Sequence, residues 1–253
     1  MSSRVRIFDT RFDALTLDET IDAVFTLLNS RGRGWLCTVN VATLMMMRKD
    51  PALRSFVDRA RLVVADGQPL VWCSSLFGGR LPERVAGIEL IDALCARAAL
   101  EGRGVYLLGA KAALLVRATT ALQARHPTLR LNGADGYFTV TEAAQRADAI
   151  RASGASLLLV GMGVPRQESF IDAQWDRLGV GMAIGVGGSF DVIAGARFRA
   201  PRWVRRIGLE WLVRLVQEPM RLLPRYAVTN SVFCMLLAQR LIARSIRRRP
   251  TSR

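Results

Sequence analysis

Six short, nearly uncharged runs alternate with longer amphipathic stretches along most of this chain, and this alternation restricts the fold more than any other feature. Strands that are buried on both faces of a parallel sheet read as continuous apolar runs, with helices between them. The pattern therefore predicts an α/β fold, a Rossmann-like, mostly parallel sheet with helices on both faces. The predicted strands are residues 35–39, 62–65, 105–108, 129–132, 157–160 and 182–186. The predicted helices are residues 17–28, 41–59 with a break near Asp50, 69–77, 88–100, 112–125, 141–151 and 167–178.

Nearly every predicted strand is followed by glycine or by a compact polar side chain. These segments begin at Thr38, Asp66, Gly109, Asp135, Gly161 and Gly187. In parallel α/β sheets the ligand binds outside the carboxyl ends of the strands, where loops lead into helix N-termini. Six such segments on one edge of the sheet predict a binding crevice.

The positive charge of the chain is concentrated near its C-terminal end. The formal net charge is +15, and residues 197–253 hold fourteen arginines against only Glu210 and Glu218, whereas residues 1–196 are almost balanced. We therefore predict two units, an α/β domain over residues 1–196 and an arginine-rich helical appendage over residues 197–253. A tail of this charge favours an anionic partner, whether nucleic acid, acidic lipid or a diphosphate.

The spacing of apolar residues in the tail predicts helices at a membrane surface. Apolar side chains recur every four positions from Trp203 to Leu215, as on one face of a helix. Pro219 and Pro224 are expected to interrupt the helical pattern before a last helix that begins near Tyr226. The uncharged run at 226–239 is shorter than the roughly 20 residues that a membrane crossing needs. A basic amphipathic helix lying in the membrane interface is therefore predicted.

Residue types argue against metal, disulfide and secretion chemistry. The four cysteines have neither zinc-site nor disulfide spacing, and no secretory signal segment is recognisable, which predicts a reducing, cytoplasmic location. His126 is the only histidine, and no Asp-x-Asp pair is available to hold a divalent cation. We predict no metal site and no cofactor. If a diphosphate leaves during a reaction, arginines must neutralise it.

Asp66 is the first candidate for chemistry, because it ends an apolar strand and precedes Gly67 at the crevice. It is either a general base or the N-cap of a helix that has Pro69 in its first turn. Thr38 and Asn40 flank one residue and point to the same side of an extended chain, so they could bind a sugar or orient Asp66. Asn40 alone is explained equally well as a helix cap.

The sequence gives less support to two other classes of function. The segment Gly161-Met162-Gly163-Val164-Pro165 resembles half of a dinucleotide fingerprint, but its third glycine is missing, which disfavours a nucleotide-dependent oxidoreductase. A basic nucleic-acid- or anionic-surface-binding α/β protein without catalysis is the alternative that the pI of about 11.3 suggests. It would need aromatics interleaved on the basic face of a known module, and none is apparent.

Several separated motifs together carry a family resemblance. They are Thr38-Val-Asn40, Asp66-Gly-Gln-Pro69, Pro82-Glu-Arg-Val-Ala-Gly87, Leu107-Leu-Gly-Ala110, Gly136-Tyr-Phe138, Gly161 through Glu168, Gly187 through Asp191, Arg199-Ala-Pro201, Glu210 through Arg214, and Glu218-Pro-Met-Arg221 leading to Tyr226. In this order, over roughly residues 8–226, the chain resembles the WecG/TagA/CpsF family, glycosyltransferase family twenty-six. The last helix, at 228–249, is expected to extend past the usual family end.

The resemblance implies an inverting, metal-independent transfer from a UDP-sugar donor to a polyprenyl-diphosphate-linked saccharide. It places the protein peripherally on the cytoplasmic face of the inner membrane, in exopolysaccharide or cell-surface polysaccharide synthesis. The implied partners also include an anionic membrane surface and allow a homo-oligomer in solution, but no nucleic acid. In this family the tail is thought to mask the site or to break up oligomers, and to complete the site on membrane engagement.

The resemblance also assigns roles to matching positions. Asp66 would be the general base, and the side chains around the sugar and acceptor would be Thr38, Asn40, Arg84 and Gln167. The residues holding the nucleotide would be Gly109, Gly136, Tyr137 and Gly163, with Asp191 near the uracil. Arg214, and with it Arg221 and Arg225, would close over the diphosphate from the tail.

Overall fold

A parallel six-stranded sheet with helices on both faces forms the centre of the computed structural model, which describes residues 3–247 without the side chains of Arg202, Arg206, Arg221 and residues 245–247. The strands are β1 (Arg4–Ile7), β2 (Thr10–Asp13), β3 (Gly34–Val39), β4 (Leu62–Ala65), β5 (Gly104–Gly109), β6 (Arg130–Ala134), β7 (Leu157–Gly161) and β8 (Met182–Gly185). The helices are α1 (Leu17–Asn29), α2 (Val41–Met46), α3 (Pro51–Asp58), α4 (Gln68–Cys73), α5 (Gly87–Leu100), α6 (Ala112–Arg125), α7 (Ala143–Ala152), α8 (Arg166–Leu178), α9 (Ser189–Ile193), α10 (Arg202–Arg206), α11 (Glu210–Gln217) and α12 (Pro219–Arg247). The predicted fold class is confirmed.

The order of the strands fixes where a ligand can bind. The sheet runs β4-β3-β8-β7-β5-β6, and all of its pairings are parallel. After β5 the chain turns to one side to form β6, and after β7 it turns to the other side to form β8. A parallel sheet opens a crevice where successive connections diverge in this way. The crevice therefore lies between the carboxyl ends of β5 and β7, where Gly109 pairs with Gly161.

The alternation of side chains along each strand supplies two cores. Trp35, Cys37 and Val39 of β3 join the core on one face, whereas Leu36 joins the core on the other. Burial of both faces is what makes these strands uncharged in sequence. The predicted break in 41–59 is confirmed, because Asp50 caps α3 by accepting a hydrogen bond from the Leu53 amide at 3.0 Å.

The hairpin of β1 and β2 was not predicted. Its core side chains Val5, Ile7 and Phe12 alternate with exposed residues that include Arg4 and Arg6. That period of two is a strand pattern, although the arginines hide the apolar content of so short a segment. Cys37, Cys73 and Cys95 are buried as free thiols, and Cys234 is exposed.

The tail differs from its prediction in two places. The patterned stretch from Trp203 to Leu215 forms two short helices, α10 and α11, with Gly208 at positive φ between them. Pro224 does not interrupt the chain but lies inside α12, which runs unbroken for 29 residues. Pro219 is the first residue of that helix, a position where the missing amide proton costs little.

One face of α12 packs on the α/β domain. Phe233 is buried, and its ring contacts that of Phe8 in the β1–β2 turn with a centroid distance of 6.0 Å. Leu222 and Thr229 are buried on the same side, whereas Met220 and Ile242 are exposed. Among the described residues one segment, Leu222–Arg244, has the length and apolar character needed to cross a membrane. The last helix was predicted to begin near Tyr226, whereas α12 begins at Pro219 and is therefore longer than the uncharged run at 226–239.

Candidate active site

Two neighbouring cavities open at the carboxyl edge of the sheet, and the tail roofs both. The larger, cavity A, has a volume of about 590 Å³ and is lined by the loops after β5, β6, β7 and β8 together with α11 and α12. The smaller, cavity B, has a volume of about 350 Å³ and contains Asp66. The residues common to both linings are Asn40, Ala42, Glu210, Arg214 and Tyr226. The cavities are thus adjacent, with Arg214 between them.

Cavity A is basic. Its lining contains the cations Lys111, Arg166, Arg197, Arg199, Arg214 and Arg225, against the anions Asp191, Glu210 and Glu218. The helices α6 and α8 also begin at this cavity. Lys111, which precedes α6, and Arg166, the first residue of α8, both line it. Helix N-termini offer unpaired amides and a partial positive charge to anions. The arrangement fits a bound phosphate or diphosphate.

Glycine allows the strand ends beside cavity A to approach closely. Gly109 has φ of +141°, and a Cβ atom there would lie 2.5 Å from the carbonyl oxygen of Gly161. Gly109 itself does not line cavity A, although its neighbour Ala110 does. Its contribution is therefore to let β5 and β7 meet. Gly136 does line the cavity, and a Cβ atom there would lie 2.8 Å from the Gly109 Cα atom. Gly163, at φ of +81°, is also in the lining, with open space around it.

Tyr137 and Asp191, which were predicted to bind the nucleotide, both line cavity A. Tyr137 lines cavity A with its side chain mostly exposed, and the Arg166 guanidinium lies 5.8 Å from the centre of its ring. Asp191 lines the cavity and pairs with Arg197 at 2.8 Å, and Arg197 also pairs with Glu218 of the tail. The Asp191 carboxylate is therefore already partnered by an arginine.

Asp66 lines cavity B, half-buried, and is not the cap of α4. That cap is Gly67, without a side-chain hydrogen bond. Burial raises the pKa of the Asp66 carboxyl to about 6, against the opposing effect of the Arg214 and Arg84 charges. A carboxylate of this pKa is a competent proton acceptor near neutral pH. The capping explanation for Asp66 is wrong, and its placement favours the general base.

Arg84 and Arg214 face Asp66 from two different units of the chain. Arg84, from the loop before α5, and Arg214, from α11, both line cavity B. Burial lowers the pKa of each guanidinium, but the charges of Asp66 and Glu210 together with weaker neighbours more than offset it, and the net effect is a raised pKa. Both arginines therefore stay charged beside the carboxylate. The far wall of cavity B is apolar, with Trp211, Phe233 and Val41.

Three predicted catalytic side chains instead hold the backbone. Asn40 caps α2 by accepting from the Thr43 amide at 3.0 Å, although it also lines both cavities. The Thr38 hydroxyl donates to the Gly185 carbonyl oxygen at 3.1 Å and does not appear in either lining. Gln167 is only 3% exposed, and its Oε1 accepts from the Gly187 amide at 3.0 Å. Gln167 therefore lies beneath cavity A and secures the Gly187 turn, which corrects its prediction as a residue that enters the crevice.

Arg225 lines cavity A as predicted, and its charge acts on the buried Glu168. The side chain of Arg221 lies outside the described residues.

Sequence reasoning missed the acidic partners of the arginines, Glu89, Glu210 and Glu218. The signal for Glu210 was present in its helical spacing from Arg214, whereas nothing in the sequence relates Glu89 to Arg205.

Glu168 is a buried carboxyl that the sequence analysis did not single out. It is 8% exposed, its Oε1 accepts from Gln167 at 2.8 Å, and its Oε2 has no hydrogen-bond partner among the described side chains and backbone groups. Burial raises its pKa to about 7. Because the folded pKa lies above the unfolded value, this group lowers stability as pH rises from about 4.5 through 7.

We expect Glu168→Gln to stabilise the protein at pH 8 by about 1–3 kcal/mol and to change stability little at pH 5, as urea unfolding can measure. Glu142→Gln is the matched control with the opposite sign. A hydrogen bond from the Thr139 amide lowers the pKa of Glu142 below 4.5, so its ionised form stabilises the fold at both pH values, and Glu142→Gln should destabilise the protein by a similar amount at pH 5 and pH 8. Equal effects of Glu168→Gln at both pH values would show that its ionisation plays no part.

Within residues 3–247, no group of three or more histidine, cysteine, aspartate or glutamate side chains is placed to hold a metal ion. The model of the glycosyl transferase WecG/TagA/CpsF family matches residues 5–247 of the chain. The match extends through α12, so the expectation that the last helix lies beyond the family end is wrong. Because this match spans nearly the whole chain, the protein belongs to the glycosyl transferase WecG/TagA/CpsF family.

Proposed function

We propose that this glycosyltransferase moves a sugar from a UDP-sugar to a polyprenyl-diphosphate-linked saccharide by inverting, metal-independent chemistry. Family membership places it in cell-surface polysaccharide synthesis. The observation that carries the finer proposal is the junction of the two cavities. A basic cavity beside helix N-termini suits the nucleotide diphosphate, and an adjoining cavity with an apolar wall suits a lipid-linked acceptor.

The reaction is a single displacement at the junction. Asp66 accepts the proton of an acceptor hydroxyl, whose oxygen attacks the anomeric carbon of the donor sugar. The bond from that carbon to the diphosphate oxygen breaks, and UDP leaves with the bonding electrons. Attack from the side opposite the leaving group inverts the anomeric centre. Arg214, which lines both cavities, stabilises the negative charge that develops on the diphosphate.

Membrane attachment is proposed to be peripheral, on the cytoplasmic face. The α12 helix keeps Phe233, Thr229 and Leu222 against the α/β domain, so only its other face is available to lipid. The exposed residues of the tail are apolar at many positions, among them Trp203, Val216, Met220, Leu223, Val228, Met235 and Ile242. Together with the tail arginines, they suit a headgroup interface with anionic lipid. Many basic side chains line cavity A, and this placement favours membrane attachment with a bound diphosphate over nucleic-acid binding.

A donor screen with product detection tests the proposal, using several UDP-sugars and a polyprenyl-diphosphate-linked saccharide in detergent or anionic vesicles. We expect turnover with one donor class, an inverted linkage, and unchanged activity in EDTA, because side chains rather than a cation neutralise the diphosphate. Strong inhibition by EDTA that magnesium or manganese reverses would contradict the metal-independent mechanism. Retention of the anomeric configuration would contradict the single displacement.

A further inference from the structure

Glu210 is the one acidic side chain of the tail that lines both cavities, and it contacts arginines from both units of the chain. Its Oε2 lies 2.5 Å from Nη1 of Arg84, and its Oε1 lies 3.2 Å from Nη2 of Arg214. Each carboxylate oxygen therefore accepts from a different guanidinium. The bridge joins the loop before α5 to α11 at cavity B, which Asp66 also lines.

The burial of this bridge sets it apart from the surface ion pairs of the protein. The side chain of Glu210 is 14% exposed and that of Arg84 is 12% exposed, whereas Asp148 and Arg177 pair at 56% and 50% exposure. Exposed pairs contribute little, but removing one partner of a buried pair leaves an uncompensated charge. Arg84 is held from its other side by Glu89 at 3.8 Å. Glu89 in turn pairs with Arg199 and Arg205, so the network extends along the tail.

We propose that Glu210 is a positioning residue that fixes Arg84 and Arg214 on either side of Asp66 when α11 is docked. This inference rests on the proposed function for its consequence in catalysis, but not for its geometry. Glu210 acts through the two arginines that it holds. Because Glu210 belongs to the tail, the position of Arg84, which belongs to the α/β domain, depends on the tail.

The charge of Glu210 gives the proposal a measurable signature. Four charged groups act on Asp66: Arg214 and Arg84 lower the pKa of its carboxyl, and Glu210 and Glu89 raise it. Loss of the Glu210 charge by itself would lower the pKa of Asp66, whereas displacement of Arg84 and Arg214, whose effects on that pKa are larger, would raise it. Because Glu210 holds both arginines, the pKa of Asp66 should rise when the bridge is broken. A Glu210 that acted on Asp66 through its charge alone would lower the pKa in Glu210→Gln, and a role in stability alone would not raise it.

The test compares Glu210→Gln, which removes the charge, with Glu210→Asp, which keeps the charge but is too short to reach both arginines. Asp172→Asn is the control, since it removes an exposed pair with Arg59 far from the cavities. The Asp66 carboxyl is titrated by NMR with 13C-labelled aspartate and identified by its absence in Asp66→Asn. This readout needs no substrate, so it remains decisive even if the donor proposal fails.

We expect the Asp66 titration to shift to higher pH in both Glu210 variants and to stay at its wild-type position in Asp172→Asn. With the active donor, kcat/KM should fall about ten- to hundredfold in both Glu210 variants, because a displacement of about 1 Å can cost this much. An Asp66 titration that stays in place or moves to lower pH in either Glu210 variant would overturn the proposal. Wild-type kcat/KM in either Glu210 variant would overturn it as well.

Discussion

Replacing Asp66 by asparagine is expected to reduce turnover about a hundredfold or more, the usual effect of removing a general base. The variant keeps the size of the side chain in cavity B but cannot accept the acceptor proton. In the wild-type enzyme, activity should fall as pH drops through about 6, because protonation of Asp66 removes the base. The measurements are kcat with the correct donor and acceptor, and the pH profile of kcat/KM.

Stability provides the internal control for Asp66→Asn. The folded pKa of Asp66 lies above its model-compound value of 3.8, so its ionisation lowers stability as pH rises toward 6 and beyond. Asparagine escapes this cost, and the variant should unfold at the same temperature as wild type or higher at pH 8. Loss of activity without loss of stability would identify a chemical role. Unchanged activity of Asp66→Asn would sink the assignment.

Deleting residues from 197 onward is expected to abolish activity and membrane association together. The deletion removes Arg214 from the junction of the cavities, Arg225 from cavity A and the exposed apolar face of α12. Activity is measured with the lipid-linked acceptor, and association by flotation with anionic vesicles. A truncated protein that stays fully active would disprove the role of the tail arginines.

The truncation also uncovers core side chains that α12 covers, including Phe8 and Val41, so a point variant must accompany it. Arg214→Ala leaves the tail docked through Phe233 and Leu222. We expect this variant to bind vesicles like wild type while its kcat falls by about a hundredfold or more, as when a transition-state donor is removed. Vesicle binding lost in parallel with activity would mean that Arg214 serves attachment instead.

Strand positions were predictable from the sequence because burial on both faces leaves few alternatives to apolar residues. The runs around β3, β4 and β8 fall within one or two residues of their observed bounds. The β1–β2 hairpin was not found, since arginines occupy its exposed positions. Pro224 was expected to precede the last helix, but it lies inside α12, where tertiary packing of Leu222 and Thr229 on the domain outweighs the cost of one missing hydrogen bond.

The site was predictable at the level of loops but less so at the level of side chains. Asp66 and Arg214 lie at the cavities where the motifs placed them. Gln167 was expected to face the ligand, yet the direction of a side chain in the first turn of a helix depends on which backbone groups need partners. The Gly187 amide needed one. The contact of Glu210 with Arg84 joins residues 126 positions apart, a distance over which local patterns carry no information.

The contact of Phe8 with Phe233 joins the two extremities of the chain, and this has a consequence during synthesis. A ribosome releases the N-terminal part first, and that part can fold before the last helix exists. Until then Phe8 lacks one of its aromatic neighbours, and Asp66 lacks Arg214. On the proposed mechanism, the nascent protein therefore stays inactive until α11 and α12 have been synthesised. Premature termination before α11 would yield an inactive transferase rather than an unregulated one.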